Sequence, residues 1–262
     1  MAALEARQLA DLTFQEVARS LRALSSTYVE RRSKLSEGAA LAGSGKRAAF
    51  ALFYGPLHFL LVREVVRALG ERFTSIDSLV ELGCGTGASG AGWVTACGRQ
   101  PAMTCIDRHP WAIDEARRTC ADLGLRVSTR MDDLTRVALD GRPLRPGPAA
   151  RQAAAETRGG HAQRGRAVLL AFAVNEVGEE KERERLLARL LAHGAAGGRV
   201  LVIEPLAGFV APWWKDWQRA FEAAGGEAHE WKFRVALPAI VEKLDRAAGL
   251  NHRELKGRSL SL

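Results

Sequence analysis

The sequence VELGCGTGA at positions 80–88 constrains the fold of this chain more than any other segment. An apolar run precedes it, and a stretch typical of a helix follows it. Its closely spaced glycines allow positive φ and let backbone N–H groups and a helix N-terminus approach a ligand. The segment therefore predicts a strand, a ligand-binding turn and a helix in that order, which is the first unit of a doubly wound α/β sheet.

Short apolar runs alternate with helical stretches from Ser75 onward, as in a parallel sheet wrapped by crossover helices. Strands are predicted at 79–82, 103–106, 126–129, 167–174, 200–203, 228–235 and 252–260. Helices are predicted at 88–97, 111–123, 179–193, 213–224 and 238–248. Five alternating units and two terminal strands predict an α/β fold with a Rossmann-like, seven-stranded sheet whose last pair is antiparallel.

The N-terminal part of the chain predicts a helical cap on this sheet. Apolar residues recur at helical spacing along 14–24, and the segment 46–69 is apolar enough to be mostly buried. The Gly-Pro pair at 55–56 is expected to kink or divide the second of these helices. The expected domains are the cap, 1–72, and the ligand-binding domain, 73–262.

One segment, 141–166, interrupts the alternation. It holds five glycines, three prolines and six arginines against a single acidic residue, Glu156. Such a composition cannot bury enough apolar surface to order itself, so it predicts a flexible basic insertion before the fourth strand. Two interpretations stay open: an electrostatic clamp for nucleic acid, or a tolerated surface insertion, since no aromatic residue is present for a base to stack on.

Composition limits the partners and the compartment. A formal net charge of +8 over 262 residues favours an anionic partner such as RNA or a phosphorylated ligand, although coding bias in a GC-rich genome produces the same excess. Acidic residues occupy the N-terminus where a signal peptide needs an apolar stretch, and no window approaches about 18 apolar residues. The four cysteines match no zinc or redox spacing. We expect a cytoplasmic protein with no membrane partner and no metal site.

The glycine-rich turn distinguishes two classes of nucleotide-binding site. Gly83-x-Gly85-x-x-Ala88 satisfies the dinucleotide fingerprint of a dehydrogenase. Glu81 and a third glycine at Gly87 give instead the pattern E-x-G-x-G-x-G, which resembles motif I of class I S-adenosylmethionine-dependent methyltransferases. We therefore predict S-adenosylmethionine as the cofactor and Glu81, Gly83, Gly85 and Gly87 as cofactor-binding residues, with the dehydrogenase as an alternative.

Acidic residues follow the next two predicted strands. Asp107, with Arg108 beside it, closes the second strand, where a carboxylate accepts hydrogen bonds from both ribose hydroxyls of a nucleoside. Asp132 and Asp133 follow the third strand, where methyltransferases of this class hold the adenine amino group. We predict all four as cofactor-binding residues; a turn capped by Asp132 is the alternative.

The reacting centre of a doubly wound sheet lies outside the carboxyl ends of its strands. Asn175 and Glu176 follow the fourth strand, so we predict them as the catalytic residues: Asn175 to hold cofactor or substrate, and Glu176 as a base for an acceptor that carries a proton. Glu176 is equally typical of a cap for the next helix. Trp213 and Trp214 predict either an aromatic platform for a ligand or ordinary helix packing.

Four segments together resemble one group within this superfamily. They are GKRAAFALFYGPLHF in the cap, ELGCGTG at the turn, AFAVNEV at the fourth strand and VLVIEPLAGF at the fifth. Over 12–260 the chain is similar to bacterial relatives of the mitochondrial small-ribosomal-subunit-associated methyltransferase-like family. The resemblance implies a class I fold, S-adenosylmethionine binding and association with small-subunit ribosomal RNA during assembly.

The resemblance has one departure. Mitochondrial members carry a cysteine cluster in their C-terminal half that holds an iron–sulfur centre, whereas this chain has no cysteine after Cys120. No metal site is therefore carried over. Three functions stay open: a methyltransferase acting on or associated with ribosomal RNA, a catalytically idle cofactor-binding assembly factor, and a methyltransferase for small molecules.

Overall fold

The computed structural model of the chain describes residues 1–30, 41–137, 139, 165–206 and 211–262. Its helices are α1 (Ala2–Gln8), α2 (Phe14–Glu30), α3 (Ser44–Ala49), α4 (Gly55–Leu69), α5 (Glu71–Thr74), α6 (Ala88–Ala96), α7 (Pro110–Asp122), α8 (Glu180–Ala195), α9 (Trp214–Ala223) and α10 (Ala239–Ala247). Its strands are β1 (Ser78–Leu82), β2 (Ala102–Asp107), β3 (Val127–Met131), β4 (Arg166–Ala171), β5 (Arg199–Glu204), β6 (Glu227–Phe233) and β7 (Leu255–Ser261). The predicted basic insertion lies outside the described residues except at its end, where Arg166 begins β4.

All seven strands join one sheet in the order β3-β2-β1-β4-β5-β7-β6. The strands β1 to β5 are parallel, and β7 runs antiparallel between β5 and β6. The predicted seven-stranded Rossmann-like sheet with an antiparallel terminal pair is confirmed. A dehydrogenase sheet follows the order 3-2-1-4-5-6, so the position of β7 beside β5 argues against that alternative.

The fourth strand ends at Ala171, earlier than the predicted end at 174. The next residue, Phe172, has a φ of +61°, a left-handed conformation that a strand does not accommodate. Its N–H still donates to the carbonyl of Ile203 at 2.8 Å. The chain then makes a 3₁₀ turn, Val174–Glu176, so the predicted catalytic residues stand on a turn and not at the end of a strand.

The predicted interruption at the Gly-Pro pair 55–56 is a change of helical register and not a kink. The chain stays helical from Ser44 to Leu69, and Phe50–Tyr54 form a π-helical turn between α3 and α4. Pro56 lies in the first turn of α4 and has no N–H. The bond that an α-helix would make to the carbonyl of residue 52 is therefore missing, and a π turn is one way to continue the helix without it.

Two apolar layers cover the faces of the sheet. On one face, α2, α4 and α6 share a core with β1 and β5, and Leu21, Phe53 and Trp93 are fully buried there. Helices α4 and α6 approach closely at Gly92, where a Cβ would lie 2.4 Å from the carbonyl oxygen of Phe59. On the other face, α8 and α9 pack through leucines and tryptophans. The helical cap is thus part of the layer that covers one face.

The helical stretch Ser44–Leu69 is the one segment of the described chain that is long and apolar enough to cross a membrane. The mean hydropathy of its most apolar window is 1.4, and 72% of that window is buried inside the protein, as in a core helix. Length and composition alone are weak grounds for a membrane span. The cytoplasmic location and the domain boundary between 72 and 73 stay predictions.

Candidate functional site

The glycine turn joins β1 to α6 at the carboxyl edge of the sheet. Gly83, Gly85 and Gly87 have φ values of +69°, +52° and +70°, which L-residues rarely adopt. Space excludes side chains as well: a Cβ on Gly83 would lie 2.7 Å from the Cβ of Ala173, and one on Gly85 would lie 3.2 Å from the ring of Phe50. Backbone conformation and close packing therefore both require glycine at this turn.

A cavity of about 320 Å³ opens beside this turn, and we call it the cofactor cavity. It is bounded by the carboxyl ends of β1 to β4 and by the start of α8. Six of the predicted site residues line it: Gly83, Asp107, Arg108, Asp132, Asp133 and Glu176. Four others do not line it: Glu81, Gly85, Gly87 and Asn175.

Asp107, the last residue of β2, ties the cofactor cavity to the glycine turn. Its Oδ2 accepts a hydrogen bond from the N–H of Gly85 at 2.9 Å, and its Oδ1 accepts one from the N–H of His109 at 2.8 Å. Burial raises the pKa of this carboxyl, against the two hydrogen bonds that lower it. Since each carboxylate oxygen takes two hydrogen bonds, both retain the capacity to accept a ribose hydroxyl.

Asp132 and Asp133 form the turn after β3. Asp132 pairs with Arg130, and its Oδ1 accepts the N–H of Asp133 at 2.8 Å. Oδ1 of Asp133 accepts the N–H and the hydroxyl of Thr135 at 2.8 and 2.7 Å. Burial raises the pKa of Asp133, but the Thr135 bonds outweigh it and hold the pKa below its usual range. Lining the cavity and capping a turn are therefore compatible roles here.

Glu81 lies beneath the glycine turn and is 1% exposed. Its Oε1 accepts the N–H of Gly90 at 3.0 Å, and its Oε2 accepts the thiol of Cys105 at 3.4 Å. Burial raises the pKa of Glu81 to about 8. The structure thus places this predicted cofactor-binding residue between β1, β2 and α6, where it positions the glycine turn instead of lining the cofactor cavity.

Among the residues that line the cofactor cavity, Glu176 is the best candidate for a general base. It lines the cofactor cavity, where burial raises its pKa to about 7; the charge of Asp107 acts in the same direction and that of Arg108 against it. A carboxyl with such a pKa exchanges its proton close to neutral pH. The alternative of a helix cap does not hold, because the N-cap of α8 is Glu179.

Asn175 makes its side-chain hydrogen bonds to protein groups behind the cofactor cavity. Its Nδ2 donates to Oε2 of Glu204 at 2.6 Å, and its Oδ1 accepts the indole N–H of Trp213 at 3.0 Å. Trp213 and Trp214 are 8% and 6% exposed and pack in the layer under α9, which is the packing alternative of the sequence analysis. Asn175 therefore connects the turn after β4 to this layer.

Sequence reasoning did not find the arginine of this region. Arg258 of β7 lies directly opposite Glu204 of β5, and its guanidinium carbon stands 4.1 Å from the centre of the Trp214 ring. Glu204 is fully buried, and burial raises its pKa to about 8. Only the antiparallel register of β5 and β7 brings the two together, and no local sequence signal gives that register.

A second cavity, of about 720 Å³, lies where β5 and β6 end and β7 begins, and we call it the cationic cavity. Arg234, Arg253 and Lys256 line it, with Glu254 paired to the first at 3.2 Å and to the last at 3.7 Å. His252 also lines it, and its Nδ1 lies 2.5 Å from Oδ1 of the buried Asp245. Within the described ranges, no group of three or more potential metal ligands lies together.

Comparisons with known proteins agree with this architecture. The chain is similar to the mitomycin 7-O-methyltransferase MmcR, with 15% identity, a TM-score of 0.51, and coverage of 99% of this chain and 71% of that one. The other similar structures include the N-methyltransferase NodS from Bradyrhizobium japonicum WM9 in complex with S-adenosyl-L-homocysteine (12% identity, 76% and 85% coverage, TM-score 0.46). Another is the magnesium protoporphyrin IX methyltransferase ChlM from Synechocystis PCC 6803 with bound S-adenosylmethionine (11%, 78% and 78%, 0.43).

Sequence comparisons add nothing to this result, because no family profile and no curated protein matches the chain. The likeness to MmcR and the strand order together show the fold. The chain has the Rossmann-like fold of class I methyltransferases, with an N-terminal helical cap. The narrower resemblance to the mitochondrial family stays a prediction.

Proposed function

We propose that the protein is an S-adenosylmethionine-dependent methyltransferase. The observation that carries the proposal is the position of Asp107, which closes β2, lines the cofactor cavity and accepts the N–H of Gly85 from the glycine turn. Asp132 and Asp133 line the same cavity, where they would hold the adenine, and Gly83 lines it at the glycine turn. The described residues therefore fit this cofactor.

The bound cofactor supplies a methyl group on a sulfonium, which is already a good leaving group, so the protein's task is mainly positioning. Asp107 would orient the ribose, and the glycine turn would lie beside the amino-acid portion, with the N–H groups of Gly83 and Gly85 bonded within the protein. Glu176 takes the proton of an acceptor O–H or N–H, because its pKa of about 7 leaves a large share of it ionised at neutral pH. In this assignment Asn175 is a positioning residue that holds the turn carrying Glu176.

The cationic cavity supports an anionic acceptor. It lies at the same carboxyl edge as the cofactor cavity and carries Arg234, Arg253 and Lys256 against the single carboxylate of Glu254. Arginine binds phosphate, like carboxylate, through paired hydrogen bonds. We therefore propose ribosomal RNA of the small subunit as the acceptor or partner, in line with the sequence resemblance. An idle assembly factor and a small-molecule methyltransferase are the alternatives.

Transfer of a labelled methyl group tests the proposal. Labelled S-adenosylmethionine and the purified protein are added to RNA, protein and small-molecule fractions from a strain that lacks the gene. Asp107→Ala serves as the site variant, Arg253→Gln as the cationic-cavity variant, and Arg99→Gln, an exposed ion-paired arginine at the opposite edge of the sheet, as its matched control.

Each outcome has one meaning. Label in RNA that vanishes with Asp107→Ala, falls with Arg253→Gln and stays with Arg99→Gln supports the RNA methyltransferase. Label in the small-molecule fraction transfers the assignment to that class. Cofactor binding without label in any fraction favours the assembly factor, and absence of cofactor binding refutes the proposed function.

A further inference from the structure

Four aromatic side chains, Phe50, Tyr54, His58 and Phe172, join the glycine turn to the end of β4, and we call them the aromatic row. Ring centres are 6.0 Å apart for Phe50 and Tyr54 and again for Tyr54 and His58, and 6.1 Å apart for Phe50 and His58, so these three rings are mutual neighbours. At the far end, His58 stacks on Phe172 with ring centres 3.9 Å apart and an interplanar angle of 18°. At the near end, the ring of Phe50 lies 3.2 Å from where a Cβ on Gly85 would stand.

Phe172 holds its place in the row at a conformational cost. It is the only non-glycine residue in the described ranges with positive φ, at +61°. A left-handed L-residue costs about 1–2 kcal/mol, and such strain concentrates at functional sites. Nothing in the strand pairing demands it, since the N–H of Phe172 still bonds to Ile203 as a strand residue would.

A second irregularity lies at the other end of the row. Phe50 and Tyr54 bound the π-helical turn between α3 and α4, and π turns are found frequently at functional sites. The turn shifts the helical register, so that Phe50 meets Gly85 while the next turns carry Tyr54 and His58 towards Phe172. Two departures from regular backbone therefore serve the same continuous aromatic surface.

The charge character of the row is suited to a cation. Aromatic faces carry partial negative charge and attract cations within about 6 Å. Burial lowers the pKa of His58 to about 3, so its ring is neutral at physiological pH and does not repel a positive group. All four side chains are partly exposed, which leaves part of the row accessible to a ligand.

The adjacent cofactor provides such a cation. Strands β1 and β4 are neighbours in the sheet, and the row spans the gap between the turn after β1 and the end of β4. The row lies outside the lining of the cofactor cavity but borders it, because Phe50 packs against Gly85 and Phe172 precedes Ala173, which packs against Gly83 of the cavity wall. A cofactor with its ribose at Asp107 and its amino-acid portion along the glycine turn would bring its sulfonium towards this row. We propose that the aromatic row binds the sulfonium charge of S-adenosylmethionine and thereby favours it over the uncharged product, S-adenosylhomocysteine. This inference rests on the proposed function.

Calorimetric titration with both ligands tests the inference without a known acceptor. Phe172→Leu and Phe50→Leu keep the apolar bulk and remove the aromatic face. We expect each to weaken S-adenosylmethionine binding about 3- to 30-fold, as one cation–π contact predicts, and to change S-adenosylhomocysteine binding less than about 2-fold. Phe233→Leu is the matched control, because Phe233 stacks on Trp231 within β6, and it should alter neither affinity.

A further variant separates binding from folding. Phe172→Gly relieves the positive φ but also removes the ring that stacks on His58, so urea unfolding is measured beside binding. The folded fraction of this variant should have lost the preference for S-adenosylmethionine. Equal loss of both ligands in the Leu variants, or an unchanged preference in Phe172→Gly, overturns the inference and leaves a packing role. A wild-type protein that binds neither ligand refutes the proposed function itself, which is a separate result.

Discussion

The two halves of the sheet's carboxyl edge use polar side chains in opposite ways. At the ends of β2 and β3, Asp107 and Asp132 line the cofactor cavity and accept backbone N–H groups. At the ends of β4 and β5, Glu204 is fully buried and binds Asn175, which in turn binds Trp213. The first half presents its acceptors to a ligand, whereas the second uses them to hold a turn in place. A polar residue at a strand end is therefore a ligand contact only where the fold leaves it open.

The largest effect is expected in the first half, at the glycine turn. Gly85→Arg should abolish S-adenosylmethionine binding, because the new side chain starts 3.2 Å from the ring of Phe50 and must displace the turn whose N–H bonds to Asp107. Its positive φ of +52° adds a stability cost of about 1–2 kcal/mol. Calorimetry measures the binding, and circular dichroism checks the fold. A folded Gly85→Arg protein with wild-type affinity would place the cofactor elsewhere.

The next effect lies where the halves meet, at Glu176. A general base works ionised, and since burial raises the pKa of Glu176 to about 7, methyl transfer should increase as pH rises through 7. Glu176→Gln should lower the rate by about 10²- to 10⁴-fold and flatten this profile. The measurement is initial rate against pH with whichever cellular fraction accepts the label. A Gln variant that keeps the same pH profile would exclude Glu176 as the base.

The fold was predictable because it depends on local periodicity. Apolar runs buried on both faces gave the parallel strands, and the glycine turn gave the first strand–helix unit. The early end of β4 was not predictable, since no sequence rule places Phe172 at positive φ. The π turn was equally hidden: the Gly-Pro pair indicated an irregularity, but the helix continues through a shifted register that the packing around Phe53 supports.

The residues of the candidate site also fall into those that the sequence predicts and those that it does not. Asp107 and the glycines were found because a single strand–turn–helix unit contains them. Glu81 was found by the same motif. Its carboxyl, however, points to Gly90 and Cys105, and the motif does not specify these two partners. The pairing of Glu204 with Arg258, like the cationic cavity, depends on the register of the antiparallel β7. A contact between strands that are far apart in the sequence cannot be predicted from either segment alone.

Both halves contain a buried glutamate, and the free energy of unfolding should depend on pH because of them. Burial raises the pKa of Glu81 and of Glu204 to about 8. In the unfolded chain each ionises near its ordinary value of 4.5, while the folded protein retains the protons until about pH 8. The unfolded state therefore binds fewer protons in this window, and the free energy of unfolding should fall as pH rises from 4.5 to 8.

Urea titrations at several pH values measure this slope. Glu81→Gln and Glu204→Gln should each flatten it, because an amide does not ionise, and the double variant should flatten it further. The exposed Glu242→Gln is the matched control and should leave the slope unchanged. A double variant whose stability declines with pH as steeply as the wild type would show that other groups carry the dependence.

The smallest effects provide the most direct contrast between the halves. Asn175→Ala removes a buried side-chain partner from both Glu204 and the Trp213 indole, so it should reduce the free energy of unfolding by about 1–3 kcal/mol. Asp132→Ala removes a partly exposed ion pair with Arg130 and should cost less than about 1 kcal/mol. Cofactor affinity should show the reverse order, because Asp132 lines the cofactor cavity and Asn175 does not. Urea unfolding and calorimetry on both variants measure the two losses of stability and the two losses of affinity. Equal stability losses, or a greater affinity loss for Asn175→Ala, would show that the two halves of the edge do not differ in this way.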